Sequence, residues 1–177
     1  MIKQIEPMMA EFQQEAATTK RVLQRIPADK LEWRPHPHSM SIGQLSIHIA
    51  SIPGDLARLA QVDAFDVSTV NFNPPQPGNM EAILTTLDES VAAAEAYMDR
   101  MSESEAMANW SLNAGAKNIF TMPRVVLLRT IMLNHWYHHR GQLSVYLRLL
   151  EVPVPSIYGP SYDENPFLSG VEIGAPA

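Results

Sequence analysis

The stretch IMLNHWYHHRGQL, residues 131–143, sets three histidines within five residues of a run otherwise rich in Ile, Met, Leu, Trp and Tyr. Two of them, His135 and His139, stand four apart, the spacing that stacks side chains on one helical face. At about 100° per residue from Arg129, the polar residues Arg129, Thr130, Asn134, Arg140, Gly141, Ser144 and Arg148 share one side. The core direction then falls opposite, near about 260°, and His135 at about 240° and His139 at about 280° straddle it. Gln142, at about 220°, takes the same side, while His138, near about 180°, is on the flank. Arg140 points away, as expected of a residue in a helix-end or interface salt bridge.

Working outward, the histidines belong to the last of four helical stretches. This one is expected over about residues 122–150, with Thr121 as a candidate cap and Pro123 suited to the first turn. The first covers about residues 2–25, marked by Ile5, Met8, Met9, Phe12, Val22 and Leu23, and Pro27 closes it. The following WRPHPHS is not helical, because Pro35 and Pro37 push the residues before them to extended conformations. Ser39 or Ser41 then caps a second helix with the stripe Ile42, Leu45, Ile49, Ile52, Leu56 and Leu59, in which Pro53 predicts a kink or break. A loop with NPPQPG at 73–78 leads to a third helix over about 79–102. The ending VPVPSIYGPSYDENPF, residues 152–167, reads as an extended tail packed on the body through Ile157, Tyr158, Tyr162 and Phe167. No stretch alternates long enough to read as a strand, so the expected fold is all-α, a single four-helix bundle forming one domain over residues 1–177.

Composition narrows the function. The net charge of −6 and the lack of a basic run disfavour nucleic acid. No apolar run is long enough to span a membrane, and the N-terminus lacks the apolar core of a signal peptide, so a soluble cytoplasmic protein is expected. Cysteine is absent, which excludes disulfides and thiolate ligation by the chain itself.

A further histidine, His48, sits on the edge of the second helix's apolar stripe, facing partly inward. Inward imidazoles need partners for both ring nitrogens, and burial disfavours their charged form. The face carrying His135 and His139 has no Asp or Glu to supply such partners. Hydrogen-bonded core histidines therefore compete with a second reading, in which neutral imidazoles ligate a divalent ion. His36 and His38, in a loop between prolines, read as solvated, and Gly141 as a site of close helix approach.

The segments EWRP (32–35), SIGQLSIHIA (41–50), MPRVVLLRTIMLNHWYHHRGQL (122–143) and VPVPSIYGPSYDE (152–164) resemble the DinB-like, or YfiT-like, family of bacterial metal-binding four-helix proteins. The resemblance covers about residues 5–167. It implies an up-down-down-up bundle, frequently dimeric. It also implies that His48, His135 and His139 hold one divalent metal ion per chain, often nickel or zinc, in a groove between helices. The family is named for damage inducibility, and some relatives use low-molecular-weight thiols.

Three neutral histidines leave an ion's charge uncompensated and a coordination position open, as in catalytic zinc. Such an ion can activate water, polarise a carbonyl or bind an external thiol. Gln142 is a candidate to orient a ligand, and Asp55, seven residues after His48, a candidate base or support if the helix survives Pro53. The expected function is a metal-dependent transferase using a thiol, or a hydrolase, acting on a small molecule. The alternative is a non-catalytic metal-stabilised small-molecule binding or stress-response module.

Overall fold

The amphipathic stretches become helices in the computed structural model, which describes residues 2–3, 5–71 and 73–168. Helix α1, Glu6–Leu23, has Pro7 in its first turn, where a missing N–H costs nothing, and turns Met8, Met9, Phe12, Val22 and Leu23 inward. Helix α2, Ile42–Leu59, opens on a reciprocal cap: Ser41 Oγ accepts from Gln44 N and Gln44 Oε1 accepts from Ser41 N, both at 3.0 Å. Helix α3, Met80–Arg100, is capped by the Asn79 side chain, and the short α4, Glu103–Met107, by Ser102. The fourth stretch is more complex than its periodicity implies. Helix α5, Arg124–Leu127, passes into a π-helical segment, Leu128–Leu133, and then into α6, Asn134–Leu149. Among the described residues, no helix is long and apolar enough to cross a membrane.

The expectation of an all-α chain misses a sheet. Strands β1 (Ala64–Asp66), β2 (Asn109–Ala114) and β3 (Lys117–Pro123) pair in the order β1-β2-β3, the first pair parallel and the second antiparallel. The molecule is therefore mostly helical with a small three-stranded sheet. The polar and apolar residues of β2, Asn109-Trp110-Ser111-Leu112-Asn113-Ala114, alternate over its full six residues, a strand signal that the helical reading passes over; the β2–β3 register shifts between Leu112 and Asn113. Gly115, at φ +59°, makes the hairpin turn possible. Thr121 lies in β3 and does not cap the following helix; Pro123 ends the strand and stands at the helix's N-cap position, one residue before the first turn, with no side-chain cap. Instead the buried Arg124 fastens the hairpin to the end of α2. It donates to the carbonyls of Ala60 (2.7 Å), Val62 (3.1 Å) and Asn109 (3.1 Å), and to Asp63 Oδ1 (2.6 Å).

Helix α2 packs on α3 and α6, and α1 on the same two partners. Pro53 does not break α2, which runs through it. Having no N–H, Pro53 cannot donate to the Ile49 carbonyl one turn back. That oxygen accepts instead from Nε1 of Trp136, fully buried on α6, at 2.9 Å. On the side facing α3, Gly54 N donates to Ser90 Oγ at 2.7 Å, and Ser90 Oγ donates to the Ser51 carbonyl at 3.1 Å. A Cβ on Gly54 would lie 3.0 Å from Ser90 Cα, so glycine permits the close crossing. The proline thus leaves a carbonyl for one neighbouring helix, and its surroundings bond to another.

The tail is packed on the body through Ile157 and the hydroxyl of Tyr158, two of the four side chains expected to hold it, but not through Tyr162 or Phe167. Val154 and Ser156 are buried, whereas Tyr158, Tyr162 and Phe167 are largely exposed. Polar anchors fix it: Arg21 to the Ser156 carbonyl, Arg148 to Asp163, and Arg140 to the hydroxyl of Tyr158 at 2.6 Å. Arg140 corrects another expectation. It forms a salt bridge, with Glu15, but both partners are buried. Arg140 also donates to Thr19 Oγ1 (3.0 Å) and the Glu15 carbonyl (3.2 Å), and its guanidinium lies 5.3 Å and 5.2 Å from the Tyr137 and Tyr158 ring centres.

Two unfolding experiments test this account. Trp136→Phe should cost about 1–3 kcal/mol from the stranded Ile49 carbonyl alone, besides lost packing. In a Pro53→Ala background the hydrogen-bond part should disappear, because the alanine N–H supplies the missing donor; a double-mutant cycle in urea reads this coupling. Arg140→Leu should cost about 3–5 kcal/mol by isolating the buried Glu15 carboxylate, and Arg140→Leu/Glu15→Leu should cost much less.

Candidate metal centre

Helices α2 and α6 bring His48, His135 and His139 together. One ring nitrogen from each lies within 4.8 Å of the others. His48 Nε2 and His135 Nε2 are 3.2 Å apart, and the ring centres are separated by 5.3, 4.6 and 4.4 Å. His139 is buried and the other two are partly exposed. Among the described residues, this is the group of three or more His, Asp or Glu side chains with ligand atoms close enough to share an ion.

The triad occupies the rim of the helix interface rather than its middle. On α6 the buried side chains are Trp136, His139, Arg140, Leu143 and Leu147. At 100° per residue they set the core direction about 80° from the one obtained by counting Arg140 as a solvent-face residue. His139 then lies about 60°, and His135 about 100°, from the centre of the buried face. His138 is exposed, with its ring centre 4.9 Å from that of His139, and takes no part in the triad.

The electrostatics favour uncharged rings. Burial, then the neighbouring His139, lowers the pKa of His48 to about 4. Burial and the three other imidazoles of the cluster take His135 to about 4 as well. His139 is also lowered, chiefly by burial, against an opposing hydrogen bond to Gln142. Neutral imidazoles are the form that ligates a metal, so the three donors can hold a divalent ion.

The remaining candidates fall as follows. Gln142 is exposed, not core-facing, yet its Oε1 lies 2.7 Å from His139 Nδ1. Helix α2 does survive Pro53, but Asp55 pairs with Arg58 and lines a cleft of about 440 Å³ against Thr86, Glu89 and Ser90 of α3, away from α6. Gly141 is exposed, and a Cβ there would meet nothing within 4 Å, so it permits no close helix approach. His36 and His38 are exposed and bond locally, His38 N donating to His36 Nδ1 at 3.2 Å. Trp136, beside His135, was not legible as a site support; its register opposite Ile49 depends on the packing of two distant helices.

A mostly helical protein with three histidines converging from two helices is the class that these observations define. The chain belongs to the DinB family, whose model matches residues 1–166. It is 21% identical over 168 residues to the uncharacterized protein YrdA of Bacillus subtilis (strain 168), with 93% of each chain covered. Its fold is similar to that of a DinB-like protein from Bacillus cereus ATCC 10987, at TM-score 0.66 and 20% identity, covering 86% of this chain and 97% of that one. It is also similar to the DinB-like protein YjoA from Bacillus subtilis, at TM-score 0.63 and 16% identity, covering 89% and 98%.

The lowered pKa values carry a sign that can be measured. Unfolded histidine titrates near 6.5 and the folded His48 and His135 near about 4, so between these values the unfolded chain binds more protons. Stability of the metal-free protein should be complete above pH ~6.5 and fall as the pH drops towards ~4. A His48→Gln/His135→Gln variant should show a shallower decline in melting temperature across that window. Equal slopes would mean that the two rings do not titrate as the structure implies.

Proposed function

We propose that the protein is a metal-dependent enzyme acting on a small molecule, with His48, His135 and His139 holding one nickel or zinc ion per chain. A transferase reaction using a low-molecular-weight thiol is the leading chemistry, and hydrolysis of a small electrophile is the other. One observation carries the reading: three neutral imidazoles converge on one point at a helix rim, without a carboxylate among them. The donor set fits a divalent ion. Two nitrogens ligating zinc tetrahedrally at about 2.0–2.1 Å would stand about 3.3–3.4 Å apart, close to the 3.2 Å between His48 Nε2 and His135 Nε2.

When bound, such an ion supplies a Lewis acid that favours the deprotonated form of a coordinated thiol or water. The three histidines contribute no negative charge to offset it, so an anionic group completes the coordination best. The partly exposed His48 and His135 leave that position open to solvent. With no cysteine in the chain, a sulfur ligand has to come from outside, which suits a cytoplasmic pool of reduced thiols. The proposed partners are this small molecule and a second copy of the chain, not nucleic acid or a membrane. Val145 and Leu149, each 57% exposed on α6, are apolar surface that pairing would cover.

Elemental analysis of natively purified protein should give about one divalent ion per chain. His48→Ala, His135→Ala and His139→Ala should each abolish binding at neutral pH, and His138→Ala should keep most of it. The cobalt-substituted protein should absorb in the visible, and an added small thiol should produce a sulfur-to-metal charge-transfer band, absent in His48→Ala. A cobalt protein that forms normally but ignores thiols would rule out thiol transfer and leave hydrolysis, or ligand binding without turnover.

A further inference from the structure

The geometry points to Gln142 as the positioning residue of the triad: its side-chain carbonyl holds the His139 proton on Nδ1 and leaves Nε2 bare for an ion. The purpose of this arrangement rests on the metal reading above; the arrangement itself does not. A neutral imidazole carries one proton on two nitrogens, and only the nitrogen without it can ligate. Gln142 Oε1 lies 2.7 Å from His139 Nδ1, and a carbonyl oxygen can only accept, so a hydrogen bond at this contact requires the proton on Nδ1. The i, i+3 spacing on α6 sets the amide one turn along from the ring, within reach without bending the helix.

The other two histidines are held differently. His48 and His135 meet through their Nε2 atoms at 3.2 Å, a contact that needs one proton between two rings and that an ion would replace. Among the described residues, His139 is the one member of the triad whose remaining nitrogen is bonded to another side chain. Gln142 therefore selects a tautomer in advance for the buried ligand, while the partly exposed pair can adjust on loading. Had the amide been turned to donate, the proton would sit on Nε2 and the third ligand would be blocked. Because Gln142 is itself exposed, replacing it removes this hydrogen bond and little packing.

The test uses the whole chain, with zinc as the probe and two substitutions. In nitrogen-15 spectra of the metal-free wild type near pH 7, His139 should carry its proton on Nδ1; in Gln142→Leu the proton should be distributed over both nitrogens. Competition with a chelator should show Gln142→Leu binding zinc about 10–100-fold more weakly. Gln142→Glu, whose carboxylate only accepts, should bind at least as tightly as the wild type. The metal-free melting temperature of Gln142→Leu should match the wild type, which a merely structural role would not predict. A wild-type proton on Nε2, or undiminished zinc affinity in Gln142→Leu, overturns the proposal. A wild type that binds no zinc would instead count against the metal reading, and the tautomer measurement would still decide the part assigned to Gln142.

Discussion

The carbonyl of Ile49 is the point where the two halves of the candidate site are brought into register. Pro53 lies one turn further along α2 and cannot satisfy it, and an unbonded carbonyl in a dry interior is costly. The indole N–H of Trp136 bonds to it from α6. Each partner is adjacent in sequence to a histidine of the triad: Ile49 follows His48, and Trp136 follows His135. A hydrogen bond tolerates only a few tenths of an ångström of slip, so this bond limits sliding of the two helices where the three rings must meet. Proline inside a helix, ordinarily a defect, here specifies which neighbour packs against it and at what height.

Charge is arranged to leave the imidazoles neutral. The buried cation next in sequence to His139, Arg140, is turned about 100° around α6 from it and neutralised by Glu15, with Thr19 and Tyr158 completing its hydrogen bonds. The same cluster ties α1, α6 and the C-terminal tail together, so the helix bearing two of the three histidines is fixed on both flanks. Neither buried charge is spent on the triad, whose members are kept uncharged by burial and by one another.

The long helices are legible because their apolar residues recur with helical spacing, and a serine cap before Ile42 is legible as Ser39 or Ser41, of which the structure uses Ser41. His48, His135 and His139 stand out in the sequence by helical phase and by resemblance, and the structure brings them together. Helical phase nevertheless puts them nearer the middle of the interface than they lie, because Arg140, counted with the water-facing residues, is buried against Glu15 more than a hundred residues earlier. The π-helical turn at Leu128–Leu133 further separates the phase of Arg129 and Thr130 from that of α6. The sheet is hard to read for another reason: β1 is three residues long, and the alternation of β2, though strict, spans only six residues. Its stability comes from Arg124 and from pairing with a distant segment, neither of which local periodicity records.

The rim position of the histidines has a kinetic consequence. A ligand set at the centre of a helix interface exchanges its ion only when the helices part, so its contents record what was present during folding. His48 and His135 are partly exposed, and the third ring, His139, is one helical turn from the latter. An ion held there can enter and leave the folded molecule without opening the core. Occupancy would then follow the free concentrations of competing metals at each moment, since three imidazoles alone rank divalent ions by intrinsic affinity and do little to select among them.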